Sequence, residues 1–432
     1  MLLFPPAAEV SNLAPEETMT PQPYRQALDH CPVVHAEPCT AALDAACAAL
    51  AQDIASGRLP CLTIARTRDD LSALATRAEA IAGQADDVLL LGVGGSSLGA
   101  RTLLALAHAP RVRCHLIDNV DPWTWQTTLA GLDPRRTHVL AVSKSGSTVE
   151  TMAQTMLAAG WLAGAGVPLC SNNFTAIVEP GSRPLRDFAQ AHGAVIFDHD
   201  AAIGGRYAVL SCVGMLPALL GGLDAAALRE GAAAVLDAAL AGGARSAPAR
   251  GAGLAVNLAQ DNGLTNHAMV IYADRLASLG HWYAQLWAES LGKQGKGSNP
   301  VVARGVTDQH SQLQLWIDGP RDKWLTVIGH PSAGTGPVFG QVAGMEYLTG
   351  STLGDLFEAE RKATVESLVA AGVPVRTMMV ESVDERALGG LFMHFMIETI
   401  LAGRLMGVDP FGQPAVEDGK RRARAALAGG AP

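Results

Sequence analysis

Residues 139–150, with the sequence VLAVSKSGSTVE, constrain the fold of this chain more than any other segment. The segment starts as an apolar run with β character and changes abruptly to small hydroxyl residues, one lysine and one glycine. Beyond it, apolar residues recur at the spacing of a helix. A strand, a polar turn and a helix in this order place hydroxyls at a helix N-terminus, where unpaired N–H groups and the helix dipole favour an anion. The alternative is an ordinary helix cap, for which one hydroxyl is enough.

The composition of this turn favours the anion site over the cap. Four hydroxyls and one ammonium group fall within six positions, and each can bind a phosphate oxygen. The candidate phosphate ligands are Ser143, Lys144, Ser145, Ser147 and Thr148.

The same order of elements occurs further towards the N-terminus. An apolar run at 88–91 leads into the turn GVGGSSLG at 92–99 and then into a helical pattern. Alternation of strands and helices predicts a doubly wound parallel sheet with helices on both faces. Ligands of such sheets bind at the carboxyl ends of the strands.

The turn at 92–99 resembles the dinucleotide-binding fingerprint G-x-G-x-x-G, but Ser97 stands in place of the third glycine. Asp118, at the end of the next predicted strand, lies near the position of a ribose-binding acid and keeps the dinucleotide alternative open. Ser96 and Ser97 instead make this turn a second anion site lined by hydroxyls. Two such turns in one sheet favour a small phosphorylated ligand over a dinucleotide.

The length of 432 residues predicts two α/β domains, because single domains seldom grow so large. Further apolar runs predict strands at 112–117, 194–197, 265–272, 324–328 and 373–380. The predicted parts are an N-terminal arm (1–45), a first α/β domain (46–222), a second α/β domain (223–405) and a C-terminal turn and helix that return to the site (406–432).

Charge and cysteine usage exclude several classes of protein. The formal net charge of −9 argues against a nucleic-acid binder. All seven cysteines lie between Cys31 and Cys212 without CxxC or metal-like spacing, which indicates free thiols in a reducing compartment. No signal peptide is indicated, and the apolar, uncharged run 207–223 contains Pro217 and favours a buried helix over a membrane span. We therefore predict a cytoplasmic protein without a membrane or nucleic-acid partner.

Two segments in the middle of the chain carry candidate catalytic groups. The turn IGGR at 203–206 lets the backbone approach closely and ends in the positive fork of Arg206, although a solvated arginine is equally consistent. Gln285 and Glu289 are four residues apart and share one helix face. If it is buried, this carboxyl group has the raised proton affinity of a general base. The alternative is an exposed glutamate paired with Lys293.

Two single residues complete the set of titratable candidates. His310 stands among polar residues in TDQHS, and a lone histidine is more often structural than catalytic. Lys420 begins a basic run, whose simplest interpretation is a solvated helix face.

Taken together and in this order, these segments resemble the phosphoglucose isomerase family, in its shorter bacterial form. The resemblance extends from about residue 86 to residue 420. It rests on the blocks GVGGSSLG, SKSGSTVET, IGGRYAVLSCVGMLP, QLWAESLGK, TDQHSQLQ and PFGQPAVEDGK.

The resemblance implies a role for each candidate residue. Glu289 takes the place of the catalytic base, and Arg206 takes the place of the arginine that stabilises an enediolate. His310 and Lys420 match the pair associated with opening of the sugar ring. The implied sugar-phosphate ligands are Ser96, Ser143, Lys144, Ser145, Thr148, Gln285 and Gln413.

The implied fold is two sugar-isomerase (SIS-type) domains, and the implied reaction interconverts glucose 6-phosphate and fructose 6-phosphate through a cis-enediolate. No cofactor and no metal are expected, and the implied assembly is a homodimer in which the histidine of one subunit reaches the other subunit's site. Ala201, Ala208 and Ala415 depart from the family pattern without removing a titratable group. The alternatives are a dual phosphoglucose/phosphomannose isomerase and, less favoured, a non-catalytic sugar-phosphate-binding protein.

Overall fold

The computed structural model describes residues 22–31 and 38–429. These residues form strands and α-helices that alternate along most of the chain. The strands are β1 (Tyr24–His30), β2 (Asp87–Leu91), β3 (Arg113–Ile117), β4 (Thr137–Val142), β5 (Phe174–Val178), β6 (Val195–Asp198), β7 (Asn266–Tyr272), β8 (Asn299–Arg304), β9 (Lys323–Gly329) and β10 (Val375–Val380). The helices are α1 (Pro38–Ala55), α2 (Pro60–Thr63), α3 (Leu71–Gln84), α4 (Leu98–Leu106), α5 (Pro122–Ala130), α6 (Val149–Gly164), α7 (Pro184–Ala191), α8 (Cys212–Leu220), α9 (Ala225–Gly242), α10 (Ala247–Gln260), α11 (Ser278–Leu291), α12 (Leu313–Asp318), α13 (Leu353–Ala370), α14 (Glu385–Met406) and α15 (Glu417–Leu427).

The strands form two five-stranded sheets. The first sheet has the order β3-β2-β4-β5-β6 and all its pairs are parallel. The second sheet has the order β1-β10-β9-β7-β8, and only the edge strand β1 runs antiparallel to its neighbour. The predicted fold class is therefore confirmed, with β1 as an antiparallel addition at one edge.

The first sheet has a topological switch point between β2 and β4. These strands are neighbours, yet the chain leaves β2 towards β3 on one side and leaves β4 towards β5 on the other side. A crevice forms at the carboxyl ends of the strands where such a reversal occurs. The two polar turns predicted from the sequence follow β2 and β4, so both lie at this crevice.

Each predicted strand is present within two residues of its expected bounds. The sequence analysis missed β1, β5 and β8. In β8, Pro300 is the second residue and removes a ladder donor, which the sequence pattern treats as a reason against a strand. The structure accommodates the proline because β8 lies at the edge of its sheet.

Long buried helices connect the two sheets. Helix α14 is long and apolar, and 89% of its most apolar 18-residue stretch is buried inside the protein, as in the core helix of a globular fold. It approaches α9 so closely that a Cβ at Gly231 would lie 1.9 Å from the Arg386 carbonyl oxygen, and one at Gly389 would lie 1.8 Å from that of Leu228. Both positions therefore require glycine. The predicted domain boundaries stay predictions.

Candidate active site

The turn after β4 has the features of an anion site. Ser143 is 1% exposed, and its hydroxyl lies 2.9 Å from the Thr148 hydroxyl. Thr148 holds the N-cap position of α6, but its side chain does not cap the helix. Gly146 has φ +63, a conformation that suits glycine and turns the chain into α6. The N–H groups of the first helical turn are therefore not capped by Thr148 and can serve an anion.

Lys144 and Ser145 lie at the rim of this turn. The Lys144 ammonium donates to the Ala201 carbonyl at 2.8 Å and lies 3.6 Å from the Glu179 carboxylate. The Ser145 hydroxyl is exposed and accepts from the backbone N–H of Ser147. Both side chains are thus available at the entrance of the crevice.

The turn after β2 links this anion site to the rest of the site. A Cβ at Gly92 would lie 3.0 Å from the Val142 carbonyl oxygen, at the end of β4. On its other side, a Cβ at Gly95 would lie 2.3 Å from the carbonyl carbon of Gly205, so this glycine is needed for the close approach. Ser96, in the same turn, is partly buried.

Gln285 and Glu289 share one face of α11, as their spacing predicts. The Gln285 amide donates to Oε1 of Glu289 at 3.0 Å, and Arg206 donates to Oε2 at 3.3 Å. The Glu289 side chain is 29% exposed. Lys293, the expected alternative partner, instead donates to the carbonyl oxygen of Asp409.

Arg206 is the most fully bonded side chain of the site. It is 5% exposed, so the interpretation as a solvated arginine is wrong. Its Nε donates to Ser290, one terminal nitrogen donates to Glu289 and Gln413, and the other donates to two main-chain carbonyl groups. Those carbonyl groups belong to Pro410 and Gly412. The guanidinium is therefore fixed in place with its charge beside Glu289.

A cavity of about 600 Å³ opens next to these residues. It is lined by Glu289 and Lys293, together with Asp409 and residues 412–416. Burial, followed by the charge of Arg206, lowers the pKa of Lys293, and the carboxylates of Asp409 and Glu289 oppose that shift. Within residues 22–31 and 38–429, no three His, Cys, Asp or Glu side chains gather as a group that could hold a metal ion.

Comparison with known proteins shows the family to which the chain belongs. The family model of phosphoglucose isomerase matches residues 74–309. A glucose-6-phosphate isomerase of Rubrobacter xylanophilus is 38% identical over 377 residues, which cover 83% of this chain and 87% of that protein. The chain belongs to the phosphoglucose isomerase family.

Other relatives in this family agree. A glucose-6-phosphate isomerase of Thermus thermophilus is 39% identical over 352 residues, covering 80% of this chain and 84% of that protein. The crystal structure of a hypothetical protein, also from Thermus thermophilus, superimposes with a TM-score of 0.86 at 34% identity, covering 94% of this chain and all of that chain. The predicted family and the predicted class of enzyme, a glucose-6-phosphate isomerase, are confirmed.

Asp118, the candidate ribose-binding acid of the dinucleotide alternative, is engaged within the protein. Asp118 accepts a hydrogen bond from Arg101 at 2.7 Å and is therefore paired within the protein. Together with Ser97 in place of the third glycine, this pairing argues against a ribose site at the end of β3.

His310 and Lys420, which the resemblance matches to the ring-opening pair, do not join the cluster around Glu289. The exposed His310 follows the carboxyl end of β8, whereas Glu289 lies near the end of α11, which leads into the start of β8. The six residues of β8 span about 20 Å, so the two side chains lie at opposite ends of the second sheet. Lys420 is exposed on α15 and pairs with Glu417 at 2.8 Å.

The structure also gives contacts in the site to residues that the sequence analysis did not place there. Ser290 and Tyr207 form a buried pair beside Arg206, with their oxygens 3.0 Å apart, and Lys293 holds the carbonyl of Asp409. Ser290 and Lys293 occur in the block QLWAESLGK and Tyr207 follows the GGR turn, so sequence proximity to the candidates was the available signal.

Proposed function

We propose that this protein catalyses the reversible isomerisation of glucose 6-phosphate and fructose 6-phosphate, with Glu289 as the base. The observation that carries the proposal is the Glu289 carboxylate, which Arg206 and Gln285 hold from two sides. Gln285 lies next to the turn 92–99, and this turn also contacts the anion site. Relatives named glucose-6-phosphate isomerase support the choice of substrate.

In this mechanism the turn after β4 anchors the substrate's phosphate. Ser143, Ser145 and Thr148 supply hydroxyls, the N-terminus of α6 supplies N–H groups, and Lys144 supplies a positive charge at the rim. A phosphate held there leaves the other end of the sugar to extend towards Glu289, past Ser96 and Gln285. Binding energy from the phosphate thereby orients the reacting carbons.

The chemical step moves one proton between neighbouring carbons. Glu289 removes the proton from C2 of the open-chain aldose, the electrons form the C1–C2 double bond of the enediolate, and the negative charge passes to the oxygen on C1. The hydroxyl proton on the oxygen of C2 then passes to the oxygen of C1, and return of the carbon proton from Glu289 to C1 restores a carbonyl, now at C2. Arg206 stabilises the developing charge because its guanidinium is already fixed beside the base. The amide of Gln413, bonded to the same guanidinium, contributes to the substrate contacts.

Ring opening needs a donor and an acceptor at the ring oxygen and O1, and we assign these roles to His310 and Lys420. Because His310 lies across the second sheet from Glu289 of its own chain, we infer that it acts at the site of a second subunit in a homodimer. Exposed apolar side chains support such an assembly. Met156 and Leu157 on α6 are 59% and 55% exposed, and Trp123 on α5 is 72% exposed.

The free cysteines of the described residues fit a reducing compartment, so we place the protein in the cytoplasm. The proposed reaction belongs to glycolysis and gluconeogenesis.

The direct test of the proposal is turnover of glucose 6-phosphate and, separately, of mannose 6-phosphate by the purified protein. Fructose 6-phosphate formed from glucose 6-phosphate alone supports the proposal, and formation from both sugars indicates a dual isomerase. Binding of sugar phosphate without turnover of either would replace the enzyme with a non-catalytic sugar-phosphate-binding protein.

A further inference from the structure

The segment 409–413 determines where the positive charge of the site stands. Three of the five hydrogen bonds made by Arg206 end on this segment, at the carbonyls of Pro410 and Gly412 and at the side chain of Gln413. A shift of the segment would therefore move the guanidinium relative to Glu289. What holds the segment consequently matters for the reaction.

The chain that follows this segment gives it little support. None of the residues of α15 is buried, and the short turn Pro414–Val416 before it is not buried either. The buried Pro410 packs beside Gly403 of α14. Apart from Arg206, two side chains of the described residues lie within hydrogen-bonding distance of the main-chain carbonyls of the segment. The Tyr207 hydroxyl lies 3.5 Å from the Pro410 carbonyl, and the Lys293 ammonium donates to the Asp409 carbonyl.

Lys293 reaches this carbonyl from the end of α11, the helix that carries Glu289. It lines the same cavity as Glu289 and Gln413. Two cations, Lys293 and Arg206, therefore converge on main-chain carbonyl oxygens of one short segment, at residues 409, 410 and 412. A charged donor makes a stronger hydrogen bond to a carbonyl than a neutral donor does.

We propose that Lys293 is a positioning residue for the isomerisation: by holding the Asp409 carbonyl it fixes the segment 409–413, and through that segment it fixes Arg206 beside Glu289. The inference rests on the proposed function, because its consequence for turnover is defined only for an isomerase. Lys293 acts through Arg206 and not on the sugar.

The chain offers a matched control in Lys296. It lies three residues further along the same connection and donates at 2.6 Å to the carbonyl oxygen of Met406. The variants Lys293→Met and Lys296→Met therefore each remove one ammonium-to-carbonyl bond to the C-terminal segment. Only the first removes a bond within 409–413.

We expect Lys293→Met to lower kcat for glucose 6-phosphate by about 10- to 100-fold with KM changed by less than about threefold, since the loss lies in the transition state. Lys296→Met is expected to stay within about threefold of the wild type, and Lys293→Arg to recover most of the lost rate because it keeps a charged donor. In an Arg206→Lys background, Lys293→Met should cost less than about threefold, because residues that act through one another are not additive.

The pH profile separates this role from simple structural support. The charged groups that face Lys293 are Arg206 from the turn 203–206, Glu289 from α11 and Asp409 from the segment itself. Since the pKa of Lys293 is lowered, its charged form is present below that pKa and is lost as the pH rises through it. The alkaline limb of kcat should therefore move to higher pH in Lys293→Arg.

Amide hydrogen exchange gives a readout that does not depend on activity. A peptide covering 407–416 should exchange faster in Lys293→Met than in the wild type and in Lys296→Met. Unchanged exchange in Lys293→Met, a kcat within threefold of the wild type, or an equal loss in Lys296→Met would overturn the assignment. If the wild type itself shows no turnover, the proposed function fails, and the exchange comparison still decides whether Lys293 holds the segment.

Discussion

Arg206 has no N–H group left for a substrate. Each of its five donors lies within bonding distance of a protein acceptor, which is Ser290, Glu289, Gln413 or one of two main-chain carbonyl groups. Its contribution to the reaction is therefore a fixed positive charge and a fixed position for Glu289. A preorganised charge of this kind costs no reorganisation when the enediolate forms.

This geometry predicts that charge alone is not sufficient at this position. Arg206→Lys keeps the charge but cannot make the forked set of bonds, so we expect kcat to fall by about 10²–10³. Steady-state kinetics with glucose 6-phosphate measure the loss, and thermal unfolding checks that the fold persists. Arg113→Lys, an exposed arginine paired with Asp87, is the control and should leave kcat unchanged. A kcat for Arg206→Lys near that of the control would contradict the role given to the fork.

At the residue scale, sequence reasoning identified side chains whose roles follow from spacing. Gln285 and Glu289 lie on one helix face because they are four residues apart, and the structure joins them by a hydrogen bond. Sequence reasoning considered Lys293 only as a partner of Glu289 and did not consider Ser290. Their partners in the structure, Asp409 and Arg206, lie far away in sequence. The bond from Lys293 ends on a main-chain carbonyl, which every residue carries, so the sequence does not mark Asp409 as its acceptor. For Ser290, proximity to Glu289 in sequence was the only signal.

At the scale of elements, the turn between β4 and α6 separates binding from chemistry. It lies at the switch point of the first sheet, while Glu289, the proposed base, is on α11. In the proposed mechanism its hydroxyls contact the phosphate equally in the ground state and the transition state. Losing one should therefore weaken binding more than it slows the reaction.

The variant Ser145→Ala tests this separation. The Ser145 hydroxyl is exposed at the rim of the turn, so its removal should leave the fold intact. We expect KM for glucose 6-phosphate to rise by about tenfold, the worth of one hydrogen bond to a charged group, with kcat within about threefold. Ser72→Ala, on the exposed surface of α3, should change neither constant. A fall in kcat without a rise in KM would place this turn in the chemical step instead.

Elements with strong periodicity were predictable, and those shaped by their neighbours were not. The runs 88–91 and 139–142 predict strands because every residue in them is apolar, and the structure buries both runs completely. The sequence did not predict β8 because Pro300 argues against a strand unless the strand lies at a sheet edge. Whether a strand lies at the edge is a property of the assembled sheet and not of its own sequence.

At the scale of the whole molecule, a buried charge network joins the N-terminal strand to the core of the second sheet. Glu398 on α14 bonds to Arg376 on β10 and to His394, each at 2.7 Å, and His394 bonds to the Tyr24 hydroxyl on β1. Burial opposes ionisation of Glu398, but the charge of Arg376 and the hydrogen bond from His394 prevail and lower its pKa from 4.5 to about 2.

This network predicts acid sensitivity of the fold. Because the pKa of Glu398 is lower in the folded protein, its stabilising effect is complete above the ordinary pKa and is lost as the pH falls from about 4.5 towards 2. Urea unfolding at a series of pH values measures the slope. Glu398→Gln should be less stable at pH 7 and show a shallower loss in acid, whereas the exposed Glu381→Gln should match the wild type. Equal acid slopes in Glu398→Gln and wild type would show that another group sets the acid limit.

The shared site is also a claim about the whole molecule, and mixed dimers test it. Glu289→Gln and His310→Ala should each be inactive alone. If His310 serves the partner's site, hybrids formed by co-refolding the two variants contain one intact site, and the mixture should recover about a quarter of wild-type activity. If both residues serve the site of their own chain, each site in a hybrid contains one of the two substitutions and no activity returns.

The relation between His310 and Glu289 marks the limit of sequence reasoning at this scale. Both positions were predictable from motifs, but their separation across the second sheet follows from the antiparallel course of α11 along β8. Trp287 bonds to Ser298 near the start of that strand, and a Cβ at Gly280 would lie 2.6 Å from Val302 towards its end. Such packing depends on tertiary contacts that no local pattern encodes.

The central claim is that Glu289 carries the proton between C2 and C1, and proton exchange during isomerisation tests it most directly. In D₂O, the proton held by Glu289 exchanges with solvent in part of the turnovers, so the wild type should incorporate deuterium at the reacting carbon of the hexose 6-phosphate in a fraction of the product, as followed by NMR. Glu289→Gln should reduce both incorporation and turnover by about 10²–10⁴, the contribution typical of a general base, with affinity for fructose 6-phosphate retained. Incorporation and turnover in Glu289→Gln within tenfold of the wild type would contradict the account.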